Sequence, residues 1–168
     1  FASVIVNVDL DGAQGTGTSF LTYAGTAAAP GAGTVWNGVT GAISGTTSTG
    51  LVDSLGGATG ITISWGGSLQ GWATGSVPSL ATDLLIDYYF TYPSLGAGTF
   101  SINNLDPMKT YDLYLYGTEG DYPGGTSIFS LAGDVKMANN SLGGTGSIFT
   151  EGTNYVVYRG LTAPSGWI

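Results

Sequence analysis

Residues 99–117 constrain the fold more than any other part of the sequence. A β-prone run over residues 100–105 ends at Asp106-Pro107, and a second run of aromatic residues and leucines covers residues 111–116. Neither run has the 3.6-residue period of a helix. The pattern predicts a strand, a tight turn and a second strand.

The second of these strands is apolar or aromatic on nearly both sides. Successive side chains of a strand point to opposite faces, and a strand with two apolar faces is typical of a buried position. The run therefore predicts a strand in the middle of a β-sandwich. Its two sides are Tyr111, Leu113 and Leu115 on one and Asp112, Tyr114 and Tyr116 on the other.

Short apolar or alternating runs bounded by Gly, Asn or Asp predict strands along the rest of the chain. We expect an all-β fold, an antiparallel β-sandwich of the jelly-roll type, with at most one short helix near residues 80–90. Asn37-Gly38 predicts a turn. Because no linker or repeat divides the chain, we expect one domain over residues 1–168. The other predicted strands cover residues 1–10, 51–55, 61–65, 127–131, 135–137, 147–150 and 155–159.

Composition narrows the class of protein. Glycine accounts for 30 of 168 residues and charged residues for 8%, where about 25% charged is usual. The net charge of -8 disfavours nucleic acid and anionic lipid as partners. The sequence has no cysteine, and it has no apolar run long enough for a membrane span or an intact signal peptide. We expect a processed, secreted or cell-surface protein.

Three parts of the sequence resemble a family of secreted bacterial proteins of the PEP-CTERM type. They are residues 6–9 with 33–38, residues 51–54 with 60–62, and residues 100–117. The resemblance implies a β-sandwich like that of galactose-binding or carbohydrate-binding modules, and none of the three parts is a catalytic motif. The C-terminal sorting signal of such proteins is absent from this sequence.

Proteins of this type continue with further strands where this sequence ends after residues 161–168. We therefore expect the sandwich to lack a final strand, which would leave an unpaired edge. The β-prone residues 1–8 could fill that edge in a neighbouring copy. This gives a hypothesis of assembly by strand complementation, with other copies of the chain as partners.

Asn7, Asp9 and Asp11 are candidate calcium ligands. Alternate oxygen-bearing side chains followed by Gly12 match the start of a calcium loop, although Thr18 stands where an EF-hand would have its bidentate Glu. The alternative is an ordinary Asp-Gly turn at the end of a strand. A structural calcium ion is the one cofactor that the sequence suggests.

Trp72, Glu119, Asp121 and Tyr122 are candidate ligand-binding residues. A sugar could stack on the aromatic rings while the carboxylates accept hydrogen bonds from its hydroxyl groups. Trp36 is a similar case, whereas Trp65 is predicted to lie in the core. The alternative for residues 119–125 is a Pro-Gly turn with solvated acids.

Catalysis has little support in the sequence. Without His or Cys, the usual nucleophile–base arrangements cannot form, and the acids lie on turns or strand ends rather than in apolar runs. We expect no enzyme activity. Asn139 begins the sequence Asn139-Asn140-Ser141, a candidate glycosylation site that chance alone could produce in a chain so rich in Asn, Ser and Thr.

Two functions remain. The first is a non-catalytic extracellular structural protein, a subunit that assembles with copies of itself into a filament, tube or matrix. The second is a module that binds an extracellular polysaccharide. Low charge reduces repulsion between copies and favours the first.

Overall fold

The chain is all-β in the part that the structure describes. The computed structural model describes residues 4–11, 25, 27–40, 45, 47–67, 70–73, 87–90, 96–117, 126–139 and 149–168. These residues contain ten strands and no helix. The strands are β1 (Val8–Asp11), β2 (Asn37–Thr40), β3 (Thr62–Gly67), β4 (Gln70–Ala73), β5 (Asp87–Phe90), β6 (Gly98–Asn103), β7 (Thr110–Tyr116), β8 (Thr126–Leu131), β9 (Asp134–Asn139) and β10 (Tyr155–Thr162).

The described strands form five pairs, β1–β2, β3–β6, β4–β5, β7–β10 and β8–β9. Four of these pairs are antiparallel, as expected. The β1–β2 pair is parallel. A parallel pair requires a long connection, which residues 12–36 provide.

The strand, turn and second strand predicted over residues 99–117 are confirmed as β6, residues 104–109 and β7. The two strands do not pair with each other, because β6 pairs with β3 and β7 pairs with β10. In the turn, Asn104 has a left-handed φ of 61° and the Lys109 amide donates to the Asp106 carbonyl at 3.1 Å. Leu105, between them, is buried.

The edges of the β3–β6 pair carry two further short segments. Ser48 donates its amide to Ile63 O of β3 at 2.8 Å. On the other edge, Ile102 and Ile168 exchange amide-to-carbonyl hydrogen bonds of 2.7 and 3.0 Å. The last residues of the sequence therefore pair with β6.

Three clusters of buried side chains form the core of the described residues. The alternation predicted for residues 61–65 is confirmed, since Ile63 and Trp65 are buried in the first cluster. The first cluster is Val39, Leu51, Ile63 and Trp65; the second is Trp36 with Ala27, Tyr116 and Phe149; the third is Ala138, Val156 and Tyr158 with Leu113, Leu115, Phe129, Leu131 and Leu161.

Some local predictions need correction. Asn37-Gly38 is not a turn but the start of β2, because Asn37 bonds segments that are distant in sequence. Trp36 is 8% exposed and lies in the core rather than in a ligand site. Of the segment considered for a helix, residues 87–90 form β5, and residues 80–86 lie outside the described part.

Candidate functional site

The segment before β1 is fastened to its own chain. The buried side-chain amide of Asn7 donates to Ala32 O at 2.7 Å and to Val35 O at 2.9 Å. Two residues earlier, Ile5 O accepts the amide of Ser54 at 2.7 Å. Of the segment predicted to be a free strand, residues 1–8, the described residues 4–8 are therefore bonded to other parts of the same chain.

Asn37 adds further hydrogen bonds to the same region, a role that was not predicted from the sequence. Its Nδ2 donates to Asn7 O and to Val52 O, both at 2.8 Å, and its Oδ1 accepts the amide of Val52 at 2.8 Å. One side chain thus joins β2 to two other segments. The Asn-Gly dipeptide gave a signal for a local turn, and no local signal marks these distant partners.

The calcium candidates are only partly described. Both amide hydrogens of Asn7 are engaged by backbone carbonyls, so this residue already has a structural role. Asp9 and Asp11 have their backbone in β1, and their side chains lie outside the description. Among the described side chains, no group of three acids is arranged to hold a metal ion.

Tyr114, Tyr116 and Tyr155 form a surface on one side of the β7–β10 pair, named here the tyrosine face. Tyr114 and Tyr155 stack with ring centroids 5.8 Å apart. Tyr116, opposite Tyr155 in the register, lies 6.0 Å from it and also contacts Trp36 and Phe149. All three tyrosines are partly exposed, so the tyrosine face is bounded by core on one side and solvent on the other.

The deepest member of the tyrosine face is Tyr116. Its hydroxyl accepts the backbone amide of Ala28 at 2.8 Å, which ties residues 27–29 to β7. Burial raises the pKa of Tyr116 to about 12, against the lowering effect of the amide bond. The residue is therefore a neutral structural phenol at ordinary pH.

An ion pair lies beside the tyrosine face. Arg159 binds Glu151 through two hydrogen bonds of 2.9 and 3.3 Å. The hydrogen bond from Arg159 lowers the pKa of Glu151. Burial raises the pKa of Tyr155, and the negative charge of Glu151 raises it further. Next to the pair, Gly160 has a φ of 65° and donates its amide to Asp112 Oδ1 at 2.8 Å, where the β7–β10 register shifts.

The β8–β9 hairpin packs one side against β10. Its inward side chains, Phe129, Leu131 and Ala138, join the third core cluster. The buried Tyr158 shares its hydroxyl hydrogen between Phe129 O at 3.0 Å and Asp134 O at 3.1 Å. This phenol therefore bonds both strands of the hairpin to β10.

Lys136 points toward the same interior. Its Nζ donates to Val157 O at 2.7 Å and lies 4.8 Å from the centre of the Tyr158 ring. Asp134 is 3.9 Å from the same Nζ. Because the ammonium group is engaged on the inner side, it adds no charge to the other side of the hairpin.

The outer side of the hairpin is uncharged and carries three large apolar side chains beside the polar Thr126, Ser130 and Asn139. Ile128 is 63% exposed, Val135 54% and Met137 50%. The register places Ile128 opposite Met137 and Ser130 opposite Val135. These four residues are named here the hairpin outer face.

All three basic residues of the chain are paired with acids of the same chain. Lys109 lies 3.4 Å from Asp106, and Lys136 and Arg159 have the partners given above. A cation that is already paired offers little attraction to an incoming anion. The described surface therefore has no cationic patch.

The predicted ligand residues are not brought together in the described part. Trp72 lies in β4 with its backbone opposite Tyr88, and its side chain is outside the description. Glu119, Asp121 and Tyr122 lie outside the described residues. Asn139 is exposed at the end of β9, next to the hairpin outer face, and its amide donates to Gly152 O at 2.9 Å.

Comparisons with protein-family models, with curated proteins and with solved structures found no match for this chain. A search of the described residues found no helix long and apolar enough to cross a membrane.

Proposed function

We propose that this chain is a non-catalytic structural protein of the cell exterior, which assembles with copies of itself into a filament, tube or matrix. One observation carries the proposal. Large apolar side chains remain exposed while every basic side chain is paired within the chain. Such a surface is suited to uncharged contacts with similar surfaces and poorly suited to anionic partners.

We further propose that the five strand pairs belong to a two-layer β-sandwich. The chain passes from the β3–β6 pair to the β7–β10 pair between β6 and β7, as it does when it crosses from one sheet to another. At that point the Tyr111 hydroxyl accepts the Asp106 amide at 2.7 Å and donates to the Asp106 carbonyl at 3.0 Å. A tyrosine that bonds the backbone a few residues upstream is a feature of Greek-key sandwiches, where it is known as a tyrosine corner.

Strand exchange is one way in which copies could join. Residues 4–11 are held by contacts with residues 32–37 and 52–54, far from them in sequence. The same residues of a neighbouring copy would make the same bonds, and the exchange would cost little once it is complete. In a single copy, residues 4–11 of the same chain make these bonds.

The test of the proposed function is the state of the purified protein as concentration rises. Sedimentation velocity and negative-stain electron microscopy, carried out from micromolar to millimolar concentration, should show ordered oligomers or polymers. A protein that stays monomeric over the whole range would refute the proposal.

Polysaccharide binding is the second candidate function. The observation that favours it is the tyrosine face, where partly exposed phenol rings lie beside the hydrogen-bonding groups of Arg159 and Glu151. Aromatic rings bind sugar rings by contact with their apolar faces. Retention on immobilised neutral polysaccharide, lost in Tyr155→Ala and in Trp72→Ala or Tyr122→Ala, would favour this function over assembly.

A further inference from the structure

We propose that the hairpin outer face is the surface through which a second copy of this chain binds. The inference rests on the self-assembly proposed above and names its contact. Ile128 and Met137 are directly opposed across the hairpin, and both are at least half exposed. Ser130 and Val135 extend the face toward the hairpin turn.

The fold does not require apolar residues at these positions. The inner side of the same two strands already supplies Phe129, Leu131 and Ala138 to the core. Strands that are covered on one side ordinarily carry polar residues on the other. Large apolar side chains nevertheless occupy three of the six outward positions of this hairpin, and such an exposed group is typical of a contact surface.

The charges of the chain point to a second copy as that partner. Each copy has a net charge of -8, so two copies approach with least repulsion where neither surface carries an acid. The hairpin outer face has no ionised side chain of its own, because Lys136 is directed inward to Val157 O. The one acid within β8 and β9 themselves, Asp134, begins β9 at the turn and is paired with Lys136.

Other occupants fit the chemistry less well. Sugars bind to flat aromatic rings, whereas this face is aliphatic. Anionic lipid and nucleic acid are bound by basic side chains, and all three in this chain are paired within it. A protein surface without charge therefore fits this face best. The hairpin outer face of a second copy is such a surface.

The size of the face sets the expected strength of binding. Two strands of this length cover roughly 20 Å by 10 Å, or about 200 Å², against about 800 Å² per partner in a standard interface. We therefore expect a dissociation constant weaker than about 1 µM for an isolated pair. In an assembly, the same contact repeats and gains from high local concentration.

The experiment compares two double variants, each of which replaces one branched aliphatic residue and one methionine by threonine. Ile128→Thr with Met137→Thr alters the hairpin outer face and keeps β-prone residues in both strands. Leu55→Thr with Met108→Thr is the matched control, because these side chains are 92% and 90% exposed and lie in turns elsewhere. Sedimentation velocity at rising concentration measures association, and urea unfolding of each variant checks that the fold is intact.

We expect the hairpin variant to weaken association at least tenfold and the control variant to leave it within twofold of the unaltered protein. If the unaltered protein associates and the hairpin variant associates equally well, the hairpin inference is wrong and the proposed self-assembly stands. If the control variant has the larger effect, the contact lies at the turns and the inference is again wrong. If the unaltered protein does not associate, both proposals fail.

Discussion

The backbone carbonyl of Asn7 accepts two hydrogen bonds from one residue, Asn37, which donates its own amide at 2.9 Å and its side-chain Nδ2 at 2.8 Å. The same Nδ2 also donates to the carbonyl of Val52, and Oδ1 of Asn37 accepts the amide of Val52. Three segments that are distant in sequence therefore meet at one amide side chain.

Replacement of this amide should be costly. Asn37→Ala removes the partners of the partly buried Val52 backbone groups and should lower the free energy of unfolding by about 2 kcal/mol, since polar groups left unpaired away from water carry a desolvation penalty. Urea denaturation measures the loss. Asn139→Ala is the control: its residue is exposed on β9, and a change below about 0.5 kcal/mol is expected there. Equal effects of the two changes would contradict the assigned role of Asn37.

The hydroxyl of Tyr111 gives a second prediction. Tyr111→Phe keeps the ring and removes both hydrogen bonds to the Asp106 backbone, so we expect a loss of about 1 kcal/mol in urea unfolding. Tyr114→Phe is matched in chemistry, and no hydrogen bond of its hydroxyl is found within the described residues. If both changes cost the same, the Tyr111 bonds add nothing to stability.

Leu113 tests the packing between β7 and the hairpin. It is partly buried against the third core cluster, and Leu113→Ala should destabilise by about 2 to 3 kcal/mol, near the lower end for core truncations because the site is not fully enclosed. Thermal or urea unfolding measures the effect. Leu55→Ala, at a fully exposed turn, should change stability by less than about 0.5 kcal/mol. A tolerant Leu113 would mean that β7 is not packed as described.

Alkaline titration should detect the buried hydroxyl of Tyr116. Burial raises its pKa from 10.0 to about 12 in the folded protein. The folded state therefore holds the proton more tightly than the unfolded state, and stability that is fully present below pH 10 is lost as pH rises toward 12. Burial also raises the pKa values of Tyr155 and Tyr158, so absorbance at the tyrosinate band should show a late-titrating component that becomes smaller in Tyr116→Phe. A titration curve that is unchanged in this variant would contradict the burial of the phenol.

The Arg159–Glu151 ion pair should make the stability of the protein fall in acid, whereas Tyr116 makes it fall in alkali. The hydrogen bond from Arg159 lowers the pKa of Glu151 from 4.5, so its contribution is present above pH 4.5 and is lost as pH falls through the folded value. In Glu151→Gln, urea midpoints measured at pH 7 and pH 3 should differ less than in the unaltered protein. Because both side chains are exposed, high salt should reduce this difference. If the two proteins have the same pH dependence, the Arg159–Glu151 pair does not contribute to stability.

Local pattern was enough to predict several elements. Ile63 and Trp65 alternate with polar residues on a strand that has one buried face, and the interruption at Asp106-Pro107 separates β6 from β7. In both cases the signal and the structure depend on the same few residues. These predictions were confirmed because strand periodicity and turn chemistry are local properties.

Partner choice could not be predicted in this way. Asn37-Gly38 has the local chemistry of a turn, but the distant backbone groups of Asn7 and Val52 hold Asn37 in a strand. Trp36 is buried because Tyr116, far along the chain, packs against it. The inward direction of Lys136 likewise depends on Val157 O, and this direction is what leaves the outer side of the hairpin without charge.

The positions of the three basic residues also affect how readily trypsin cleaves the folded protein. Trypsin cleaves after Lys or Arg, and the sequence offers it only Lys109, Lys136 and Arg159. Lys136 and Arg159 lie in paired strands, and Lys109 lies in a turn closed by the Asp106 carbonyl and followed by Tyr111. Trypsin should therefore spare the folded chain and cut it promptly once it opens, which makes the rate of digestion a simple reporter of unfolding.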